Sequence, residues 1–344
     1  MTVGGEQGEV ARTGRVTLSQ VARAAGVSTT TASFVLAGRK DGQRPASDQT
    51  AARVMQAARD LGYAANAHAR AMRRGRTDSV ALALGDPRDP WANELAHVVS
   101  LHASGRGLST LVLADDSWPT LLQGHQFDCA LVTGAEYHAH GHDQVRELAR
   151  QGNRLVVHSA ELEPAGFDVI RSAATTAVGE AHALLRSRHE RVHYLGAVQA
   201  ATPVRSPSRR DLFLQAVTEA GDDPRGAVVR VAPTLGAAQA AATEWLRRPG
   251  RPTAVVTQTG YLAIALQAAA LRVGVRVPDD LEIIALGDVP EATSLFGPVS
   301  HFAPDDGFTQ IADALVVRAV TPPDDLPWRL VDLAWVLQPG LTTR

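Results

Sequence analysis

VTLSQVARAAGVSTTTASFVL, residues 16–36, sets two short amphipathic runs on either side of one glycine. Thr17 is placed to cap a first helix, with Gln20 three residues on, where its side chain can return a bond to the cap. Leu18, Val21, Ala22 and Ala25 recur at helical spacing and predict a buried stripe. Gly26 falls where a tight turn needs positive φ. Val27 is apolar and is placed to fill the angle between the two runs. Ser28 caps a second helix whose inner face would be Thr31, Ala32, Val35 and Leu36. The pattern is that of a helix-turn-helix, in which the second helix enters a major groove and offers its first turn to base edges. Ser28, Thr29, Thr30 and Thr31 can bond phosphates or base edges, and threonine methyls can meet thymine methyls. The plainer alternative is a helical hairpin whose threonines are merely solvated.

A third helix follows the basic loop GRKDGQRPA. Ser47 caps it, Val54, Ala57, Ala58 and Leu61 form its apolar stripe, and Gly62 ends it with Tyr63 folding back as a core residue. Next comes NAHARAMRRGRT, residues 66–77, which is basic and poor in core residues and reads as a linker of marginal helicity.

Charge separates this head from the rest. Residues 1–77 hold twelve Arg and Lys against five Asp and Glu, net +7, whereas the remainder holds 22 against 31, net −9. A basic head on an acidic body points to a polyanionic partner for the head alone. At 344 residues and 45% hydrophobic, the chain can build two or three domains with real cores. No apolar run reaches membrane-spanning length and the first residues lack the apolar stretch of a signal peptide, so a cytoplasmic location and no membrane partner are expected. The one cysteine, Cys129, excludes an internal disulfide and a multi-cysteine metal site. There is no G-x-S-x-G elbow, no phosphate-cradling glycine loop and no H-E-x-x-H, so no catalytic residues are assigned and an enzyme is not expected.

The words VTLSQVARAAGVSTTTAS, SDQTAARVMQAARDLGY and NAHARAMRRGRT, in this order, resemble the DNA-binding head of the LacI/GalR family of bacterial transcription regulators. The resemblance implies a dimer, one head per half-site of a near-palindromic double-stranded DNA operator. It implies readout at Thr29, Thr30, Ser33 and Phe34, with Thr17, Ser28 and Arg39 beside them. It also makes 66–77 a hinge helix that orders in the minor groove, with contacts at Asn66, His68, Ala69, Arg70, Met72 and Arg73. Met72 holds the place of a leucine wedge that opens a base step. The head departs from the family at Phe34, which replaces a guanine-reading arginine. An aromatic can meet a thymine methyl but cannot make the bidentate guanine pair, so the operator should differ; the alternative is that Phe34 is simply core. The loop around Arg39, Lys40 and Arg44 is longer than usual, and Ala65 replaces a common proline.

From Val80 onward SVALALG, LSTLVLAD, FDCALVTG, NRLVVHS, RVHYLGA, TAVVTQ and LEIIALG are short apolar runs parted by helical segments. Such alternation predicts parallel sheets with helices on both faces and ligands beyond the carboxyl ends of the strands. The body resembles the family's periplasmic-binding-protein-like core, two α/β lobes joined by three crossings, expected near residues 187, 300 and 324. The fold class expected is therefore an all-α helix-turn-helix head plus an α/β two-lobed core. The divisions expected are a tail over 1–14, the head over 15–65, the hinge over 66–77 and the core over 78–344. Within the core the first lobe would take 78–187 and 301–324, and the second 188–300 and 325–344. WRLVDLAWVLQPGLTTR ends where the family core ends, with no heptad tail of the kind that makes tetramers in relatives, so a homodimer through the body is expected.

The family grips sugars with polar residues that are largely replaced here. Thr259 and Gly260 stand for an Asn-Asp pair, Ala285-Leu286-Gly287-Asp288 for a Gly-aromatic-Asp-Asp word, and Ala174 for an aspartate. Arg209 matches a family arginine, though Leu212 replaces the glycine after it. The candidate effector set is Arg209, Asp288, Thr259, Trp91 and Tyr137. Unpaired buried polar groups cost about 1–3 kcal/mol each, so a simple sugar is not expected. Two readings stay open: a less polar or anionic effector held by Arg209, or no small-molecule effector. Arg209 reads equally as an interlobe salt bridge. His138, His140 and His142 in EYHAHGHDQ alternate, but the glycine and loop position argue for a solvated turn, and neither metal nor cofactor is assigned. The rival functions are an architectural DNA binder with a silent cleft and a solute-binding protein.

Overall fold

The computed structural model describes residues 16–36, 46–63, 76–85, 90–114, 117–124, 126–138, 140–172, 174–198, 207–289, 296–322 and 325–344. The chain divides into two compact units, Met1–Gly75 and Arg76–Arg344. Arg39, Asn66, His68, Ala69, Arg70, Met72 and Arg73 lie outside the described residues, as does the side chain of Tyr137.

In the first unit α1 (Leu18–Ala24), α2 (Thr29–Leu36) and α3 (Asp48–Asp60) enclose a small core. Val21, Ala22, Ala25, Ala32, Val54, Ala57 and Ala58 are buried in it, with Leu18, Val27, Val35, Leu36 and Tyr63 packed against its rim. Leu61 departs from the predicted stripe: it is exposed, because α3 has already ended at Asp60 and Leu61 is its C-terminal cap.

Among the described residues the second unit holds two six-stranded sheets. The first takes β1 (Ser79–Ala83), β2 (Ser109–Leu113), β3 (Cys129–Val132), β4 (Leu155–His158), β5 (Asp168–Arg171) and β11 (Leu330–Asp332), in the order β11-β5-β4-β3-β1-β2 and all parallel. The second takes β6 (His193–Ala197), β7 (Val228–Val231), β8 (Ala254–Thr257), β9 (Glu282–Leu286), β10 (His301–Pro304) and β12 (Trp335–Gln338), ordered β12-β10-β9-β8-β6-β7. Its strands are parallel except the edge strand β12, which runs antiparallel to β10.

Each sheet is covered on both faces. Along β1, Val80 and Leu82 enter the core formed with α4 (Pro90–Ser104) and α11 (Gly307–Val320). Ala81 and Ala83 enter the opposite core, formed with α5 (Trp118–Gly124) and α6 (Gly141–Arg150). Burial on both faces is why these strands read as unbroken apolar runs. The second sheet lies between α7 (Thr175–Arg186) with α8 (Arg209–Glu219) on one face and α9 (Leu235–Arg247) with α10 (Gly260–Val273) on the other.

The three crossings differ from the expected places. β5 ends at Arg171, and α7 already packs on the second sheet, with Val178, Ala181 and Leu185 beside Tyr194 and Phe213. The first crossing is therefore at 172–174, not 187. β10 pairs with β9, His301 opposite Ala285, so the second crossing comes at Asp305–Asp306, not 300. β11 belongs to the first sheet and β12 to the second, which puts the third crossing at Leu333–Ala334, not 324. The first lobe is thus 76–172 with 307–333, and the second 174–304 with 335–344. The sequence signal failed because β5 carries two charges in four residues, β11 and β12 are half-exposed edge strands, and a helix following a strand need not pack on that strand's sheet.

His182 on α7 is 3% exposed, lies edge-on to Phe213 at 5.5 Å, and among the described residues its Nε2 has no hydrogen-bond partner. Burial pushes its pKa down, with Asp222 opposing and Arg186 reinforcing. The folded state therefore keeps His182 neutral, whereas the unfolded chain protonates it near pH 6.5. That contribution to stability is present above about pH 6.5 and is lost as pH falls toward the lowered folded value. Urea unfolding at pH 7 and pH 5 should show stability falling with acid, and His182→Leu should flatten that slope. An unchanged slope would mean that His182 does not carry it.

Candidate nucleic-acid interface and ligand cleft

The geometry of the first unit follows from its caps. Thr17 Oγ1 accepts from Gln20 N at 3.4 Å, while Gln20 Oε1 accepts from Thr17 N at 2.7 Å, the reciprocal pair that fixes the start of α1. Gly26 takes φ +63° at the turn. Ser28 Oγ accepts from Thr31 N at 3.0 Å and lies 2.9 Å from Thr31 Oγ1, so these two hydroxyls serve the helix start. Thr29, Thr30 and Phe34 are exposed, and Ser33 is half-buried. Phe34 is 44% exposed, which removes the core reading. Thr30, Ser33 and Phe34 stand at i, i+3 and i+4 and therefore share one face of α2.

In the second unit the candidate effector residues gather at the carboxyl ends of the strands. Trp91, in the first turn of α4, donates through Nε1 to Asp288 Oδ2 at 3.1 Å. Its ring also lies 5.8 Å from His158, at the end of β4, and 5.9 Å from Phe308 in α11. Arg209 opens α8. Its Nη1 donates to the carbonyls of Gln258, at 2.7 Å, and Leu286, at 3.1 Å, and its guanidinium lies over Trp335 at 4.9 Å. Among the described residues Arg209 has no carboxylate partner, so the salt-bridge reading gives way to a clamp on two strand ends. Gly287 makes that clamp possible: a Cβ there would stand 3.2 Å from Arg209 Nη1.

Burial pushes the His158 pKa down, with Glu136 opposing and Arg209 reinforcing, so the ring is held neutral. Burial pushes Asp288 up, against the Trp91 hydrogen bond and the charges of His301 and Arg209. Thr259 caps the start of α10 through its backbone; its Oγ1 is buried without a hydrogen-bond partner. Gly260 follows under tight constraint, since a Cβ there would fall 2.7 Å from the Asp288 carbonyl. An acidic side chain at this position has no room.

His158, Gln258, Phe308 and Trp335 were not legible as site residues. The one usable signal was a polar residue closing an apolar strand, as in LVVH at 155–158. The histidine loop is tied down by Glu136, which accepts from Ser159 Oγ at 2.7 Å and Ala160 N at 2.6 Å. His138 meets Trp118 edge-on, and among the described residues no three side chains form a metal-binding group.

Comparison with known proteins agrees with this division into head and core. The model of bacterial regulatory proteins of the lacI family matches residues 17–66, and that of the periplasmic binding protein-like domain matches residues 181–320. The chain carries the DNA-binding head of the lacI family of bacterial regulatory proteins, followed by a periplasmic binding protein-like domain. It is a DNA-binding transcriptional regulator with a helix-turn-helix head and a periplasmic-binding-protein-like core. Relatives include the transcriptional repressor PurR of Mannheimia succiniciproducens, 26% identical over 295 residues that cover 82% of this chain and 84% of that one. The transcriptional regulator DegA of Bacillus subtilis is 29% identical over 301 residues, covering 84% and 86%. The lac repressor dimer bound to operator and the anti-inducer ONPF shares the fold at a TM-score of 0.69 and 17% identity, covering 96% of this chain and 99% of that one. Among the described residues of this regulator, no helix is long and apolar enough to cross a membrane.

Proposed function

We propose that this regulator is a dimeric repressor that reads a near-palindromic operator, one head per half-site. The observation that carries the reading is the exposed face of α2, where Thr29, Thr30 and Phe34 stand clear of the head's core. Arg23 adds phosphate attraction from α1, and Arg39, Lys40, Arg44 and the basic hinge add theirs. Thr17 and Ser28 act at the phosphates as helix caps. Met72 supplies the wedge at the central step, with Asn66, His68, Ala69, Arg70 and Arg73 around it in the minor groove.

The cleft between the lobes takes the regulatory ligand, and that ligand is not a simple sugar. Sugar hydroxyls need polar partners at every edge, whereas here Gly260 excludes a carboxylate and Arg209 already serves two carbonyls. The adjoining rings of Trp91, His158 and Phe308 favour a flatter, less polar molecule. An effector acts only through its differential affinity for two lobe arrangements.

Met72→Ala tests the operator reading. It should weaken binding to the selected operator about tenfold while leaving binding to random duplex unchanged, by titration at fixed salt. Equal losses on both duplexes would remove the wedge.

A further inference from the structure

Two indole N–H groups cross between the lobes. Trp335 on β12 donates to Ser172 Oγ at 2.9 Å, within two residues of the first and third crossings. Trp91 on α4 donates to Asp288 Oδ2, joining the first helix of one lobe to the loop after β9 of the other. Asp288 stands where the resemblance places a ligand-gripping aspartate, and here its carboxylate is taken by a side chain of the opposite lobe. Around this bond two of the cleft's polar side chains have internal partners, Arg209 on the Gln258 and Leu286 carbonyls and Gln258 Oε1 accepting from Ala197 N at 2.9 Å, whereas Thr259 Oγ1 has none among the described residues. The Trp91 ring is held against His158 and Phe308, so the indole is fixed in place before it meets the carboxylate.

We infer that Trp91 and Asp288 form an intramolecular latch that keeps the two lobes together without a bound effector, and that the latched form is the one that binds the operator. A bond between a neutral donor and a half-buried carboxylate is worth enough to bias a two-state equilibrium about tenfold. An effector then works by displacing Trp91 from Asp288 and freeing the lobes. The operator half of this inference rests on the repressor reading above; the lobe half does not.

The test uses the full-length protein. Trp91→Phe keeps the ring and removes the donor; Asp288→Ala removes the acceptor; Asp288→Asn keeps an acceptor oxygen. Small-angle scattering should show a larger radius of gyration for Trp91→Phe and for Asp288→Ala, no further increase in the double variant, and recovery of most of the compactness in Asp288→Asn. Operator affinity should fall about tenfold in each of the first two, again without further loss in the double variant. Unchanged scattering in both single variants, or strictly additive effects in the double, overturns the latch. Wider lobes with unchanged or tighter operator binding overturn its link to DNA. If the wild type selects no operator at all, the repressor reading fails, and scattering alone still decides the latch.

Discussion

Arg318→Met lowers the unfolding free energy of the protein by about 3–5 kcal/mol, read from urea unfolding followed by circular dichroism. Arg318 and Asp168 both have fully buried side chains. The pair is bidentate, with Nε to Oδ2 at 2.8 Å and Nη2 to Oδ1 at 2.6 Å. Arg318 also donates to the carbonyls of Leu326, at 2.8 Å, and Pro327, at 2.7 Å, and lies over Trp328 at 4.3 Å. Asp168 Oδ1 takes a further bond from Arg329 N at 2.8 Å. Removing the guanidinium takes both bidentate bonds from a carboxylate in the core and releases two carbonyls, and leaves an Arg329 guanidinium that pairs with Asp168 only at 3.8 Å, beyond hydrogen-bond distance. The segment so released leads straight into β11 and the third crossing, so the damage reaches the joint between the lobes. Asp168→Leu combined with Arg318→Met should recover much of the loss, because an apolar pair carries no desolvation cost. A loss below about 1 kcal/mol in the single variant would show that this pair does not hold the crossing segment.

Phe34→Arg should change which base the head reads. Phe34 presents an apolar edge suited to a thymine methyl, and a guanidinium there can make the bidentate pair with guanine O6 and N7. The selected half-site should gain one guanine, with a preference of about 1–3 kcal/mol, or roughly 5–150-fold, over the base that wild type prefers there. Competition between duplexes differing at that one position reads the change. An unaltered preference would mean that Phe34 faces no base.

Much of this molecule was legible from the residues. The Thr17–Gln20 cap, the Gly26 turn and the Ser28 start are local devices, and local chemistry decides them. Six of the seven strands read from the sequence, β1, β3, β4, β6, β8 and β9, declared themselves because both of their faces are buried, whereas β2 is a largely exposed edge strand that its apolar residues alone betrayed. β5 did not, because DVIR mixes two charges into four residues, and both serve long-range partners: Asp168 binds Arg318, and Arg171 binds Glu163. The cleft was half legible. Arg209, Asp288, Thr259 and Trp91 could be nominated from the resemblance. That Arg209 would clamp carbonyls, and that Trp91 would reach Asp288 across 197 positions of sequence, depends on a tertiary fold that no spacing records.

The central claim is that this regulator reads a specific duplex through α2 and the hinge. The most direct measurement is selection by the purified full-length protein from a random duplex pool at two salt concentrations. The expected result is an inverted repeat, thymine-rich where Phe34 reads and bound at least about a thousandfold tighter than random duplex at the higher salt. Binding that is blind to sequence and collapses with salt would contradict it.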